Sequence, residues 1–223
     1  MTALIKRFKN LFDMSLYKQG LLKRGRLTTR HKKKVTNIDI EELSRLVLEK
    51  YSAQTKSVQV IPDSTTRQKP LNQRDRVKFV AIGADHGAIK FKSTIKVYLE
   101  TLGYKVTDVG THSNESVDYP DFAEAVARKV ASGTCERGIM IDGAGIGSCI
   151  ACNKIKGIRA ALCYDNRTII NSREHNNANV LTLGGPLHST AELLEMVKLW
   201  LETRFAGGRH WTRINKITSL ERG

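Results

Sequence analysis

Short apolar runs alternate with segments of helical periodicity over the last two thirds of the chain. The apolar runs are Phe79–Ile82, Val106–Val109, Ile139–Ile141, Ala160–Cys163 and Val180–Leu183. The helical segments that follow them are one that ends near Leu102, then Phe122–Val130, Ile146–Lys154, one that begins near Arg167, and Ala191–Arg204. Five such alternations predict an α/β fold, in which right-handed crossovers join parallel strands into an open sheet covered by helices on both faces. In such sheets, ligands bind where loops leave the carboxyl ends of the strands.

The first 36 residues follow a different pattern. Residues 1–20 carry apolar side chains at roughly helical spacing among lysines: Ile5, Phe8, Leu11 and Phe12. This spacing predicts a short basic amphipathic helix. The run from Lys23 to Lys34 is dense in charge and poor in apolar residues, so we expect no folded element there. Residues 1–36 are therefore interpreted as a basic, partly helical and partly solvated extension.

A second short helix is predicted within residues 37–52. Asp39 can cap its first turn, with Glu42 three residues further on. One face of this helix is apolar, with Ile40, Leu43, Val47 and Tyr51. Residues 53–76 are polar, contain two prolines and show little periodicity, so they are interpreted as a linker. The compact domain is expected to span residues 77–223.

Positive charge is concentrated in residues 1–76 rather than in residues 77–223. The formal net charge is +15, and residues 1–76 hold 18 Lys/Arg against 7 Asp/Glu, whereas the remaining residues hold 19 against 15. A basic arm can bind nucleic acid or an acidic membrane, or it can stay solvated, and composition alone leaves these alternatives open. Because charges interrupt the first 20 positions, we expect neither a signal peptide nor a membrane-spanning helix.

The four cysteines indicate a reducing, cytosolic compartment. Cys149 and Cys152 have the spacing of a metal-binding or redox pair. No second Cys or His pair stands at metal-ligand spacing, and thiols this close together on a helix commonly pack in a core. We therefore expect no metal.

Candidate catalytic residues stand where the predicted strands end. Asp85 and His86 follow the first strand, and Asp142 follows the third. Asp142 leads directly into a loop and the start of a helix: Gly143, Ala144, Gly145, Ile146 and Gly147. Alternating glycines let the backbone approach a ligand closely, and N–H groups at the start of a helix can hold an anion or an oxyanion. The spacing is not that of the G-x-G-x-x-G dinucleotide fingerprint, so a nucleotide cofactor is not expected.

Two further polar groups lie nearer the C-terminus. His175 and Asn176 precede the fifth strand, while Arg209, His210 and Arg213 lie beyond the last predicted helix. Two guanidinium groups beside an imidazole suit a phosphate dianion. Basic clusters are also typical of solvated surfaces. The phosphate interpretation is favoured because the same domain offers an oxyanion loop and titratable groups at strand ends.

Five separated stretches of residues 77–223 resemble the ribose-5-phosphate isomerase B family. They are GADHGAIKFK, VGTHSNESVDYPDFA, DGAGIGSCIACNKIKGIRAALC, REHNNANVLTLGG and GGRHWTRINKI. The resemblance implies a Rossmann-like three-layer α/β/α sandwich with a five-stranded parallel sheet. It also implies a homodimer or tetramer with shared active sites, and an aldose–ketose isomerase that uses an enediolate and no cofactor. The phosphosugar that it implies first is ribose 5-phosphate.

The resemblance also implies roles for the candidate residues. Asp85, His86 and Asn176 would contact the sugar, and His175 would assist ring opening. The loop from Gly143 to Gly147 would hold the enediolate. Arg209, His210 and Arg213 would bind the phosphate, and some of these groups would come from a partner subunit.

Three positions depart from the family pattern. Asp142 and Ala144 stand where ribose-phosphate members commonly carry Cys and Thr, and Pro186 stands where an Arg is often found. Ser148 occupies the place of a Glu base used by another branch, which leaves Asp142 as the candidate base of the loop. Related galactose-6-phosphate isomerases also have Asp there, so another phosphosugar is an alternative. A catalytically impaired isomerase fold that acts as a scaffold is a second alternative.

The helix at residues 37–52 and its polar linker resemble the encapsulation peptides of enzymes packed into bacterial microcompartments. The resemblance implies a location in the bacterial cytoplasm inside such a compartment, with shell or cargo proteins as partners. Nucleic-acid or membrane attachment and an inert tail are the alternatives for this extension, and a nucleic-acid partner is not favoured.

Overall fold

The computed structural model describes residues 77–222 and two short strands near the N-terminus, Leu22–Lys23 and Arg26–Leu27. The chain divides into two units, residues 1–50 and residues 51–223. The predicted basic helix of residues 1–20, the predicted targeting helix of residues 37–52 and the linker of residues 53–76 lie outside the described residues.

The two short strands pair in an antiparallel arrangement. Leu22 pairs with Leu27, and Lys23 pairs with Arg26. This pairing differs from the expectation that the charged run carries no folded element.

The second unit is built on one parallel sheet of five strands. They are β1 (Phe79–Ala84), β2 (Lys105–Asp108), β3 (Arg137–Asp142), β4 (Ala160–Leu162) and β5 (Val180–Gly184). Their order across the sheet is β2-β1-β3-β5-β4, and every neighbouring pair is parallel. The predicted five-stranded α/β architecture is confirmed, and the strand boundaries differ from the predicted ones by no more than a few residues.

Six α-helices connect or follow these strands in the part of the chain that is described. They are α1 (Ile89–Thr101), α2 (Tyr119–Ala131), α3 (Ile146–Cys152), α4 (Asn166–Glu174), α5 (Thr190–Glu202) and α6 (Arg209–Ser219). Capping boxes at Asp165 and Ser189 fix the starts of α4 and α5, because each side chain accepts from the N3 backbone N–H. The sequence analysis predicted the first five of these helices and missed α6. None of the described helices is long and apolar enough to cross a membrane.

Helices cover both faces of the sheet. On one face, Val126, Val130 and Cys152 of α2 and α3 form a buried cluster with Met140 and Val180 of the sheet. Helix α5 packs against both α1 and α4, and it buries Trp200 completely. The central strands are buried along almost their whole length, so they read as continuous apolar runs.

Candidate active site

The carboxyl ends of β1 and β3 bring two carboxylates together. These strands are neighbours, with Ala84 opposite Ile141 in the register. The backbone N–H of Asp85 donates to the carbonyl oxygen of Ile141 at 3.3 Å, which ties the loop after β1 to the end of β3. Asp85 and Asp142, which are 57 positions apart in the sequence, therefore lie at one edge of the sheet.

Asp142 is buried and accepts four hydrogen bonds from its own loop and helix. One carboxylate oxygen, Oδ1, accepts from the backbone N–H groups of Ala144, at 2.8 Å, and Gly145. The other, Oδ2, accepts from the backbone N–H of Ser148, at 3.3 Å, and from the Ser148 hydroxyl. A carboxylate offers about four lone-pair sites, so these bonds engage all of them. Only the hydroxyl bond can be released without moving the backbone.

Asp85 is half-buried and less fully bonded. Its Oδ1 accepts from the backbone N–H of Gly87 at 3.0 Å. Burial is the main cause that raises the pKa of Asp85 above its ordinary value, and the negative charge of Asp142 adds to it. The Gly87 hydrogen bond and His86 oppose the shift. The site therefore holds two carboxylates in different environments, a pattern suited to acid and base roles.

A buried ion pair anchors the start of the segment that bonds His86. Lys92 of α1 is almost fully buried and bonds Asp108 Oδ1 at 2.7 Å, and the same oxygen accepts from the backbone N–H of Gly110 at 3.0 Å. A Cβ at Gly110 would lie 2.5 Å from the backbone nitrogen of Ala84, so only glycine lets this turn pass the end of β1. Val117, seven residues after Gly110, supplies a hydrogen-bond donor to His86.

That donor is the backbone N–H of Val117, which lies 3.2 Å from His86 Nδ1. The nitrogen must accept this bond, so the hydrogen of the neutral ring stands on Nε2. His86 is exposed, so its Nε2–H can donate to a ligand.

The loop after Asp142 is packed tightly against the sheet. Gly145 has a φ of +76°, and a Cβ there would lie 2.9 Å from the backbone carbon of Leu183. A Cβ at Gly147 would collide with the ring and hydroxyl of Tyr119, at the start of α2. Tyr119 therefore belongs to the wall of this site. The sequence analysis missed it, although it lies within one of the stretches that carry the family resemblance.

The other predicted site residues form a second group. The ring of His175, at the C-terminal cap of α4, stacks on His210 with 4.4 Å between centroids and 8° between planes. Arg209, His210 and Arg213 lie on the first turns of α6. Partial burial is the main cause that lowers the pKa of His210, and His175, Arg209 and Arg213 add to it while Glu174 opposes.

Within one chain the two groups lie at opposite edges of the sheet. Asp142 stands at the carboxyl end of β3, whereas His175 and Asn176 precede the amino end of the parallel strand β5. A strand of five residues spans about 16 Å. The fold therefore brings Asp85, His86 and the glycine loop together, and His175, Asn176 and the arginines together, but it keeps these two sets apart.

Cys152 and Cys163 pack in the core rather than react. Cys152 is buried, and its thiol lies 3.3 Å from the carbonyl oxygen of Ala123. Burial, followed by Cys149 and Asp142, raises the pKa of Cys152 to about 12, and burial raises that of Cys163 to about 11. These two thiols are therefore protonated at neutral pH and are poor nucleophiles. Within residues 77–222 no group of three or more His, Cys, Asp or Glu is arranged to hold a metal ion.

Comparison with known proteins identifies the family of this chain. A family model described as Ribose/Galactose Isomerase matches residues 80–217. Ribose-5-phosphate isomerase B of Escherichia coli is 40% identical over 145 residues, which are 65% of this chain and 97% of that enzyme. D-erythrulose-4-phosphate isomerase of Pectobacterium atrosepticum is 40% identical over 143 residues, which are 64% of this chain and 94% of that enzyme.

Solved structures share the fold of residues 77–222. Ribose-5-phosphate isomerase B of Clostridium thermocellum is 49% identical with a TM-score of 0.64, over 65% of this chain and 97% of that one. The enzyme of Mycoplasma genitalium, solved with bound ribulose 5-phosphate, is 38% identical with the same TM-score, over 66% and 98%. The fold and the site thus define an aldose–ketose isomerase of phosphorylated sugars. The chain belongs to the ribose/galactose isomerase family.

Proposed function

We propose that the chain interconverts ribose 5-phosphate and ribulose 5-phosphate through an enediolate. The observation that carries this proposal is the pair of carboxylates beside the glycine loop at the ends of β1 and β3. The similarity to enzymes named ribose-5-phosphate isomerase B supports the pentose, since it spans nearly their whole length. The erythrulose-4-phosphate enzyme is equally similar, so chain length is the property to test first.

The reaction moves one proton between C1 and C2 and another between the two oxygens. We assign the carbon proton to Asp142, whose Oδ2 becomes available when the Ser148 hydroxyl rotates away. Asp85, with its raised pKa, is suited to exchange a proton with the sugar oxygens. The N–H groups of Ile146 and Gly147 stand in the first turn of α3, where they have no intrahelical acceptor, and they stabilise the enediolate.

We further propose that the active site is completed by a second copy of the chain. Asp142 lies at the carboxyl ends of the strands, whereas the second group lies near their amino ends: His175, Asn176, Arg209, His210 and Arg213. A pentose phosphate is too short to reach from one end of the strands to the other. A homodimer in which these residues face the glycine loop of the partner joins sugar-binding and phosphate-binding groups. The exposed Ile146 and Ile150 of α3 supply apolar surface next to the loop for such an interface.

The function is tested by isomerisation assays with the purified full-length protein. The panel contains ribose 5-phosphate, a tetrose 4-phosphate and galactose 6-phosphate. We expect the highest kcat/KM with ribose 5-phosphate. A higher value with one of the other sugars would reassign the substrate, and no turnover of any of them would favour the scaffold alternative.

For the extension we propose that residues 37–52 direct the enzyme to a bacterial microcompartment. The support is their predicted amphipathic helix, followed by a polar linker. A fluorescent reporter fused to residues 1–60 is expected to co-localise with compartment shells. The same fusion with Leu43 and Val47 changed to Asp removes the apolar face and should stay diffuse. A parent fusion that stays diffuse beside intact shells, or that binds DNA in a salt-dependent way, would contradict the proposal.

A further inference from the structure

Asn171 links the two candidate substrate contacts at the end of α4. Its side-chain amide nitrogen, Nδ2, lies 2.9 Å from His175 Nδ1. Its side-chain oxygen, Oδ1, lies 3.1 Å from Asn176 Nδ2, and that nitrogen also lies 3.2 Å from the backbone carbonyl oxygen of Asn171. Asn171 is not one of the residues that the sequence analysis selected.

The donor and the acceptor in each of these hydrogen bonds can be assigned from one atom that can only accept. The carbonyl oxygen of Asn171 can only accept, so the atom of Asn176 that faces it must be the amide nitrogen. That nitrogen then donates to the Asn171 side-chain oxygen as well. Asn171 consequently turns its own NH₂ group toward His175, and His175 Nδ1 must accept from it. An imidazole with an accepting Nδ1 carries its hydrogen on Nε2.

The ring of His175 is also held in place. It stacks on His210 with its plane only 8° from that of the neighbouring ring. Ring plane and tautomer are therefore set by different neighbours, the plane by His210 and the tautomer by Asn171.

We propose that Asn171 is a positioning residue that fixes His175 as a hydrogen-bond donor through Nε2, directed at the ring oxygen of the closed sugar. The inference rests on the proposed function. Ring opening moves the proton of the C1 hydroxyl to the ring oxygen as the bond between C1 and that oxygen breaks. A donor at the ring oxygen stabilises the negative charge that develops there. In this arrangement His175 does not act as a base.

The variants Asn171→Asp and Asn171→Leu test this inference in the full-length enzyme. The Asp carboxylate still accepts from Asn176 but also accepts from His175, so it moves the ring hydrogen to Nδ1 and leaves Nε2 without one. Leu removes the donor and leaves both tautomers accessible. Nitrogen-15 NMR of the histidine rings should report Nε2–H in the parent and Nδ1–H in the Asp variant. A parent ring protonated on Nδ1 would overturn the inference.

Kinetics give an independent measurement. With ribose 5-phosphate we expect the parent to be most active, Asn171→Leu to be less active and Asn171→Asp to be least active. The activity of Asn171→Asp should be about 10²-fold below that of the parent, as for removal of one oxyanion donor. At high enzyme concentration the rate of the Asp variant should become independent of enzyme, because uncatalysed ring opening then supplies the open-chain sugar. Damage to the site in general would instead leave a lower rate that stays proportional to enzyme, and that result overturns the inference.

The two failures are distinguishable. A parent enzyme that turns over no phosphosugar contradicts the proposed function. A parent enzyme that is active while its Asp variant is equally active contradicts only the role of Asn171.

Discussion

At the residue scale, one pair of substitutions separates two contributions of Asp142, which are proton transfer as the carbon base and organisation of the glycine loop. Asp142→Asn retains an oxygen for the Ala144 and Gly145 N–H groups but removes the carboxylate. If Asp142 is the carbon base, kcat should fall by about 10²-fold or more while substrate binding changes little. The measurement is kcat and KM with ribose 5-phosphate, together with the melting temperature.

Ser148→Ala is the matched control for that variant. It keeps the carboxylate and removes only the hydroxyl donor to Oδ2. We expect it to retain kcat within about tenfold, because the proposed mechanism already requires this hydroxyl to leave Oδ2 before that oxygen takes the carbon proton. Equal losses of activity and stability in both variants would mean that Asp142 only organises the loop. Full activity of the Asn variant would exclude it as the base.

Asp85 allows a prediction that couples stability to pH. Burial and the charge of Asp142 raise its pKa, so the folded state holds this proton more tightly than the unfolded state does. The ionised form is therefore penalised in the folded protein. The penalty is absent below the ordinary value of 3.8, sets in as pH rises toward the raised pKa, and is fully present above it.

Asp85→Asn removes this penalty and keeps an acceptor for the Gly87 N–H. We expect a rise in melting temperature at pH 7 of no more than about 3 °C, because solvent screens a half-buried group, with no rise at pH 3. We expect kcat/KM to fall by about tenfold or more in the same variant. A variant that is less stable at pH 7 than the parent would contradict this assignment of the charge penalty.

The common location of these two carboxylates was predictable from the sequence, and the reason is geometric. Asp85 and Asp142 follow apolar runs, and adjacent parallel strands bring such residues to one edge of a sheet. The four hydrogen bonds to Asp142 were not predictable, because they depend on where the Ser148 hydroxyl and three backbone N–H groups point. Nor was the role of Asn171, since a side-chain amide at an exposed helical position has no distinctive sequence signal.

At the scale of elements, the sequence analysis identified all five strands but missed α6. Its first turn consists mainly of charged and polar residues, and it was interpreted as a cationic cluster rather than as a helix. Only His210 and Ile214 of α6 are buried, so its apolar stripe is narrow. The helical conformation places Arg209 and Arg213, which are four positions apart, on one face.

This shared face predicts how the two arginines act. Arg209→Ala and Arg213→Ala should each raise KM by roughly 10- to 100-fold, as expected for loss of a hydrogen bond to a charged group. The value of kcat should change much less, because a phosphate remote from the reacting carbons is bound equally in ground and transition states. Asn215→Ala, an exposed polar residue on a different face of the same helix, is the matched control and should leave KM unchanged. Unaltered kinetics in both arginine variants would remove α6 from the site.

The ion pair between α1 and β2 gives a prediction about stability. Lys92→Met leaves the carboxylate of Asp108 without its buried partner, and breaking such a pair costs about 3–5 kcal/mol. The melting temperature should fall by roughly 10 °C. Lys90→Met removes an exposed charge from the same helix, and it should shift the melting temperature by less than about 2 °C. Equal shifts in the two variants would show that the pair contributes no net stability.

At the scale of the whole molecule, the family resemblance implied shared active sites, but motif order alone could not show which groups of site residues lie apart. Motif order along the chain does not state that His175 precedes β5 at the edge opposite to Asp142. That edge follows from the parallel pairing of β3 with β5 and from the direction of α4. Two half-sites in one chain mean that a second chain completes each site, if the proposed homodimer forms.

Mixed dimers test this arrangement directly. Asp142→Asn disables the carboxylate half-site, and the double variant Arg209→Ala and Arg213→Ala disables the phosphate half-site. When sites are shared, a mixed dimer of the two variants has one site with both defects and one site with neither. Random reassociation makes about half of the dimers mixed, so the mixture should recover about a quarter of the parent kcat/KM although each variant alone is nearly inactive. If each site lay within one chain, every site in the mixture would carry one defect, and activity would stay at the mean of the two variants.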